Sequence, residues 1–351
     1  MLENVLKAFG LTGEPKAFGD GHINTTYTVN NEYVVQKINT DVFPNAKGVM
    51  ENCFAVTKHI RKKLTAIGEN PDRQTIEFIR TTDGSPVYNG EEGTYRAYKF
   101  IGNAYSVSNE KTPELLYKAA KAIGKFQSLL ADFDAEKLFT VIPDFHNTPK
   151  RLENLKKAVA KNASGRAALV KEDIDFAYSL EATTKLITDA IADGTAPLRV
   201  SHNDTKLNNI LFDDTTHESL CLIDLDTVMS GSYLYDFGDA MRFGASSAAE
   251  DCTDLDKVYF DLEIFEAFTK GYLESCASVL TEKEKELIFS SVIIMTYECG
   301  IRFLADYIDG DVYFRTAYDN HNIDRARNQF KLVKDMLEKK EAAEAIVKKY
   351  L

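Results

Sequence analysis

A chain of 351 residues with 44% hydrophobic content is long enough for one large or two medium domains, each with its own core. A formal net charge of -12 argues against a sequence-independent grip on nucleic acid, which needs a basic face, but leaves room for a phosphorylated substrate whose charge a bound metal offsets. No run of eighteen apolar residues occurs, and the start MLENVLKAFG lacks a signal-peptide pattern, so neither a membrane span nor a leader is expected. The five cysteines (Cys53, Cys221, Cys252, Cys276, Cys299) are scattered with no CxxC pair, which suits a reducing, cytoplasmic setting.

In chain order, Tyr27, Val29 and residues 33–38 read as a hairpin turned at Asn30–Asn31. A helix is predicted over 48–67. Strands are predicted over 76–80 and 94–101, with the apolar pair Val87–Tyr88 between them and DGS and NGEEG as turns. Past Gly102 the texture changes. Leu115, Leu116, Ala119, Ile123, Phe126, Leu130 and Phe133 recur at helical spacing, with Thr112 as a cap and Pro113 in the first turn. Helical patterns continue over 151–160 and 173–192, and Ile323, Ala326, Phe330, Val333 and Leu337 form a last apolar stripe. The resulting fold class is α+β and bilobal. Residues 1–101 are expected to form a small β-rich lobe, and residues 102–351 a larger, mainly helical lobe. Residues 98–101 would form the hinge, or else an ordinary edge strand, and the cleft between such lobes is a natural ligand site.

The stretch RVSHNDTKLNNILFDD interrupts this helical region with polar side chains. His202, Asp204 and Asn209 stand as H-x-D-x-x-x-x-N, and IDLD comes next at 223–226. That is the layout of phosphoryl transfer in protein-kinase-like sites. Asp204 is the expected base for an attacking hydroxyl, and Lys206 stands where it meets the transferring phosphoryl group. Asn209 and Asp224 supply the hard oxygen ligands that Mg²⁺ prefers. His202 reads as a scaffold for the loop, and Asn203 and Asn208 as turn residues. Asp and Asn also occupy turns simply because they bond their own backbone, and it is the pairing of the two motifs that points to chemistry.

The first lobe should then hold ATP. In GDGHINTTYTV, Gly21, Asn24 and Thr25 are candidates for nucleotide contact, although a full G-x-G-x-x-G is absent. Kinase lobes usually carry a lysine on the next strand. YVVQK has Gln36 at that place and Lys37 one residue on, where strand alternation turns it to the other face. Glu51 is a possible partner for such a lysine, or one residue of a solvated face. Phe100 and Ile101 are the hinge positions whose backbone would meet adenine.

GDGHINTTY, YVVQKIN, HNDTKLNNILF, IDLDT, DFGDAMRFGAS and ECGIRFLADYIDGDVYF together resemble the bacterial N-acetylhexosamine 1-kinases, of the aminoglycoside-phosphotransferase and choline-kinase-like superfamily. The resemblance runs from Gly19 to about Leu337, and Gln36 agrees with it. It implies ATP- and Mg²⁺-dependent phosphorylation of the anomeric hydroxyl of N-acetylglucosamine or N-acetylgalactosamine by a protein-kinase-like fold. Asp204 would take the proton, and His22, Phe243, Arg302 and Tyr313 would surround the sugar. Each of these four also has a plainer role: a backbone contact for His22, core packing for Phe243, an i,i+4 pair with Asp306 for Arg302, and a loop aromatic for Tyr313. Asp236 and Asp239 are expected to cap a helix and brace the catalytic loop. The competing functions are a kinase of another small alcohol (homoserine, choline or ethanolamine, an aminoglycoside) and a nucleotide-binding regulator without turnover. The latter sits badly with both Asp204 and Asp224 being present. A monomer is expected, since no heptad repeat is visible.

Overall fold

The computed structural model describes residues 2–19, 24–108 and 110–351. The chain opens with a short helix, α1 (Glu3–Ala8), and then builds a six-stranded antiparallel sheet. Its strands are β1 (Pro15–Ala17), β2 (Thr25–Val29), β3 (Tyr33–Lys37), β4 (Phe78–Ile79), β5 (Tyr88–Gly90) and β6 (Gly93–Lys99). The spatial order is β1-β2-β3-β6-β4, with β5 also on β6. Asn30 and Asn31 turn the β2–β3 hairpin, both at positive φ (56° and 55°), a conformation that asparagine tolerates better than most residues. The strand over 76–80 is shorter than its pattern suggests. Only Phe78 and Ile79 pair with β6, because the chain at Thr81 is already closing the DGS turn, its N–H donating to Ser85 O.

Between β3 and β4 lie α2 (Ala46–Ala66) and the single turn α3 (Pro71–Gln74). Helix α2 begins two residues before the predicted start because the Asn45 side chain caps it, accepting from Gly48 N. The second part holds β7 (Ala104–Tyr105), α4 (Pro113–Leu129), α5 (Thr148–Lys161), α6 (Lys171–Ser179), α7 (Leu186–Ala192), β8 (Arg199–Ser201), β9 (Ile210–Asp213), β10 (Ser219–Leu222), β11 (Met229–Gly231) and helices α8 (Tyr233–Gly244), α9 (Leu262–Cys276), α10 (Glu282–Asp309), α11 (His321–Glu338) and α12 (Lys340–Tyr350). Thr112 caps α4 as expected, accepting from Leu115 N ahead of Pro113. The single helix predicted over 173–192 is instead two, α6 and α7. Ser179 Oγ donates to Phe176 O and Thr184 Oγ1 to Glu181 O, and these local bonds hold a tighter turn between them.

Helix α10 is the spine of the larger lobe. A capping box of Thr281 and Glu284 starts it, and Gly310 at φ 102° ends it. By length and composition α10 is apolar enough to cross a membrane, with mean hydropathy 1.5. Its apolar window is 83% buried within the protein, packed among α5, α8 and α11. Helix α8 approaches it closely through Gly238, where an added Cβ would lie 2.5 Å from Ser291 O.

Two cores result. The smaller lies on one face of the sheet and joins Val5, Leu6 and Phe9 of and beside α1 to Val29, Val35, Tyr95 and Ala97. The larger runs through the helices and takes in Val49, Met50, Cys53, Val56, Ile60 and Leu64 of α2. Asn52 joins the same attachment. Its Nδ2 donates to Phe139 O (2.8 Å) and Val228 O (2.9 Å), and its Oδ1 accepts from Phe139 N (2.8 Å). Helix α2 thus precedes residue 102 in sequence but packs with the elements beyond it.

Candidate active site

The polar loop of residues 202–209 hangs between β8 and β9, and a single buried carboxylate shapes it. Asp236, in the first turn of α8, accepts from Ser201 Oγ (2.8 Å) and Asn203 N (2.8 Å) through Oδ1. Through Oδ2 it accepts from His202 N (3.0 Å) and Gln127 Nε2 (3.1 Å). Asp236 therefore braces the loop, while the cap of α8 is Ser232, which accepts from Leu234 N. Asp239 neither caps nor braces; it pairs with Arg242 at 3.3 Å. His202 Nε2 lies 3.0 Å from Ile223 O, and Nδ1 accepts from Asp204 N (3.3 Å). A carbonyl can only accept, so Nε2 carries the proton and the ring ties the loop to the strand end before Asp224. Asn203 occupies the left-handed region (φ 65°), and its Nδ2 donates to Ser201 O and Thr227 O.

This frame holds Asp204 partly open to solvent. Lys206 Nζ sits 3.0 Å from Asp204 Oδ2, and Asn209 Nδ2 donates to Asp204 O (2.9 Å) and Oδ2 (3.1 Å). Burial works against the Lys206 charge, but the charge and hydrogen bond of Asp204, with Asp224 and Asp239 beyond, outweigh it and raise the lysine above its ordinary value. Ile223 N donates to Asn209 O (2.8 Å), which brings Asn209 and Asp224 side by side. Asp224 stands at φ 59°. Burial first, then the neighbouring Asp226, push its carboxyl up to about 6, against the pull of Arg96.

These features fit a divalent cation. Asn209 uses its amide N–H groups on Asp204, so its Oδ1 has no partner among the described residues. Asp224 is a carboxylate crowded by others and short of positive charge. An oxygen-only pair suits Mg²⁺, with phosphates and water completing the shell. Among the described residues no cluster of three or more His, Cys, Asp or Glu could hold a metal alone.

Beside this pair opens a cavity of about 560 Å³ between the lobes. Of the residues expected in the site, Asn24, Gln36, Lys206, Asn209 and Asp224 line it. Thr25 does not: it is exposed on the other side of β2, and its neighbour Thr26 lines the cavity instead, as strand alternation requires. Lys37 likewise faces out. Phe100 is not part of the lining, but its ring packs edge-on against Phe18, which is, at 5.5 Å. Ile101 comes next, half-buried. Gly21 and His22 lie outside the described residues. Glu51 pairs at the surface with Arg80 (2.8 Å), away from the cavity.

The sequence reading missed Arg96 and Asp226. Arg96 is 2% exposed, lines the cavity and forms a buried ion pair with Asp226. Asp226 Oδ2 also accepts from Asn24 Nδ2 (2.7 Å). A charged residue amid the apolar residues of the strand TYRAYK was the available signal.

Of the residues that the resemblance places around the sugar, Arg302 makes no ion pair with Asp306 among the described residues. Asp306 instead accepts from Val312 N, Tyr313 N and Phe314 N and so pins the adjoining loop. Arg302 lies 5.4 Å from the Phe314 ring, and Phe314 in turn packs against Tyr313 at 4.8 Å. Tyr313 is 74% exposed. Phe243 is half-buried, with Lys111 Nζ 4.5 Å over its ring. Burial and Arg242 push Lys111 down to about 8, and it binds Phe243 O and Ser246 O at the end of α8.

Residues 14–263 match the model of the phosphotransferase enzyme family (APH). Among solved structures the chain is similar to an aminoglycoside phosphotransferase from Alicyclobacillus acidocaldarius, with 15% identity, 95% of this chain and 91% of that chain covered, and a TM-score of 0.62. It is similar to a choline/ethanolamine kinase family protein from Mesorhizobium loti (13% identity, 99% and 100% covered, TM-score 0.57). It is also similar to a spectinomycin phosphotransferase in complex with ADP and spectinomycin (14% identity, 97% of each chain, TM-score 0.55). At these identities the likeness is one of fold, and the α+β bilobal architecture is shared.

Proposed function

The chain belongs to the phosphotransferase enzyme family, and on that premise we propose that it transfers the γ-phosphoryl group of ATP to the anomeric hydroxyl of an N-acetylhexosamine. The products are the sugar 1-phosphate and ADP. The observation that carries the proposal is that Lys206, Asn209 and Asp224 line one edge of the interlobe cavity, with Asp204 directly behind them in contact with Lys206 and Asn209. Asp204 accepts the hydroxyl proton as the oxygen attacks the γ-phosphorus. Lys206 stands beside Asp204 to meet the transferring group, and Asn209 and Asp224 would hold Mg²⁺, which when bound neutralises phosphate charge. The ADP in the spectinomycin phosphotransferase structure supports ATP as the co-substrate.

The choice of acceptor rests on the resemblance of 236–246 and 298–314 to sugar 1-kinases and on charge. Arg302 has no carboxylate clamp among the described residues, and Arg151, lowered by burial, feels its repulsion nearby. Glu298 offsets part of this charge but is itself bonded to His146 and Thr148, and the two guanidinium groups favour a hydroxyl-rich neutral acceptor over a cationic one. The second reading, a kinase of an amino alcohol or aminoglycoside, draws on what the similar structures act on. The test is ³¹P NMR of the protein with ATP, Mg²⁺ and N-acetylglucosamine, N-acetylgalactosamine, choline or kanamycin in turn. A signal coupled to the anomeric proton is expected with an acetylated hexosamine. Product with choline or kanamycin alone transfers the assignment to the second reading.

A further inference from the structure

Position 36 on β3 offers a glutamine where a kinase lobe usually has a phosphate-binding lysine, and Lys37 is on the wrong face. Its stem lies over Gly93, so that a Cβ there would meet Lys37 Cε at 2.6 Å. The cavity is nevertheless not without a cation on the sheet side. Gln36 pairs directly across the sheet with Arg96 on β6, and both line the cavity. The positive charge has moved one strand over, on a longer side chain.

We infer that Arg96 supplies the fixed cation for the nucleotide phosphates, held in place by Gln36 and Asp226. The inference rests on the phosphotransfer reading above. Its geometry is that of a group positioned in advance. Arg96 Nε donates to Gln36 Oε1 (2.8 Å), and Gln36 is itself fixed through Nε2 to Thr26 Oγ1 (2.9 Å). Arg96 Nη1 donates to Asp226, whose other oxygen is taken by Asn24. Each holder of the guanidinium is therefore held by a third residue, and the plane has little freedom. A guanidinium has five N–H donors. The protein uses Nε and Nη1, whereas Nη2 has no partner among the described residues. Arg96 and Lys206 are the only cations among the described residues lining the cavity; Lys206 stands beside Asp204, where the transferring group would pass, which leaves Arg96 as the cation on the sheet side. An ion pair serving only to join the lobes would explain the bond to Asp226. It would not explain two further donors left at the cavity wall, nor a glutamine oriented to hold Nε.

The test measures binding of ADP and of adenosine to the full chain by calorimetry, in EDTA and again with Mg²⁺. Arg96→Gln combined with Asp226→Asn removes both charges together, which avoids leaving one buried and unpaired. In this double variant the ADP-over-adenosine preference should fall at least tenfold in EDTA, with adenosine affinity within about threefold of wild type, a loss of the size expected for one charge-assisted contact. Asp226→Asn alone keeps Arg96 and should keep the preference. An unchanged preference in a cooperatively melting double variant overturns the inference. So does an equal loss of affinity for both ligands, which is what a purely structural pair would give. Should the double variant not fold, a crystal structure of the wild-type chain with ADP decides. A guanidinium nitrogen within about 3.2 Å of a phosphate oxygen is expected, and one beyond about 4 Å refutes it. Wild-type protein that binds neither ligand overturns the phosphotransfer reading as well.

Discussion

Asp236→Asn changes no heavy-atom count, yet it should be among the most damaging single substitutions. Each carboxylate oxygen accepts from two donors, so neither end of an amide can turn its NH₂ inward without opposing N–H or O–H groups. The cheaper orientation puts NH₂ at the Oδ1 position, because the Ser201 hydroxyl can rotate to accept. Asn203 N–H is then left facing a donor. Turning Gln127 to relieve the other end would break its bonds to Tyr233 O and Tyr272 OH. One buried N–H without an acceptor costs about 1–3 kcal/mol, and three remaining bonds lose their charge assistance. Relief of the burial that raises the Asp236 carboxyl above its ordinary value offsets part of this. The net loss should be about 2–4 kcal/mol. Asn203 is the neighbour of Asp204, so the displaced N–H also moves the base, and misplacement on this scale should lower turnover by about tenfold to a hundredfold. Denaturant unfolding and an ADP-release assay measure the two effects. An unfolding midpoint and turnover both equal to wild type would refute the claim that Asp236 holds the loop.

Asp204→Asn should leave the melting temperature nearly unchanged and cut turnover by about 10²–10⁴, the usual span for a positioned base; near-normal ADP release would remove Asp204 from that role. Gly238→Ala should destabilise by about 1–3 kcal/mol, since its methyl would meet Ser291 O at 2.5 Å and Met295 Cγ at 2.6 Å; unaltered thermal unfolding would show that α8 and α10 part easily. Asp224, raised from 3.8 to about 6, gives the metal-free fold stability that is complete below its unfolded value and lost as pH rises through about 6. In EDTA, wild type should therefore gain stability relative to Asp224→Asn between pH 7.5 and 5, and Mg²⁺-dependent nucleotide affinity should fall below about pH 6. A pH-independent difference between the two proteins would contradict the crowded-carboxylate description.

The candidate catalytic loop was legible because its groups lie close together in the chain, and the polar run of 202–209 stands out between apolar strands. Asp236 was partly legible: its bracing could be expected from proximity to the loop, whereas its capping role fails because Ser232 stands closer to the helix start. Arg96 and Asp226 were not legible as a pair. They are 130 positions apart and meet only because β6 crosses beside β3 and the lobes close together. Strand alternation argued against Lys37 unless the strand bulged, and the register through Lys37 is unbroken; the same alternation argues against Thr25. Helix α10 gave no amphipathic stripe because neighbours cover it on most sides, so its apolar residues have no preferred face. The break between α6 and α7 was hidden because side-chain bonds to the backbone leave the apolar spacing intact.

The placement of α2 bears on where this chain can be divided. Val49, Met50, Val56, Ile60 and Leu64 are all nearly fully buried in the larger core. At about 2 kcal/mol each, their burial amounts to about 10 kcal/mol, comparable to the whole net stability of a typical domain. A cut near residue 102 would carry that helix away with the sheet, leaving an open apolar groove on one fragment and an uncovered apolar face on the other. Neither fragment is expected to fold on its own. Helix α1 and the sheet face it covers have their own small core, so partial unfolding should begin there and spare α2.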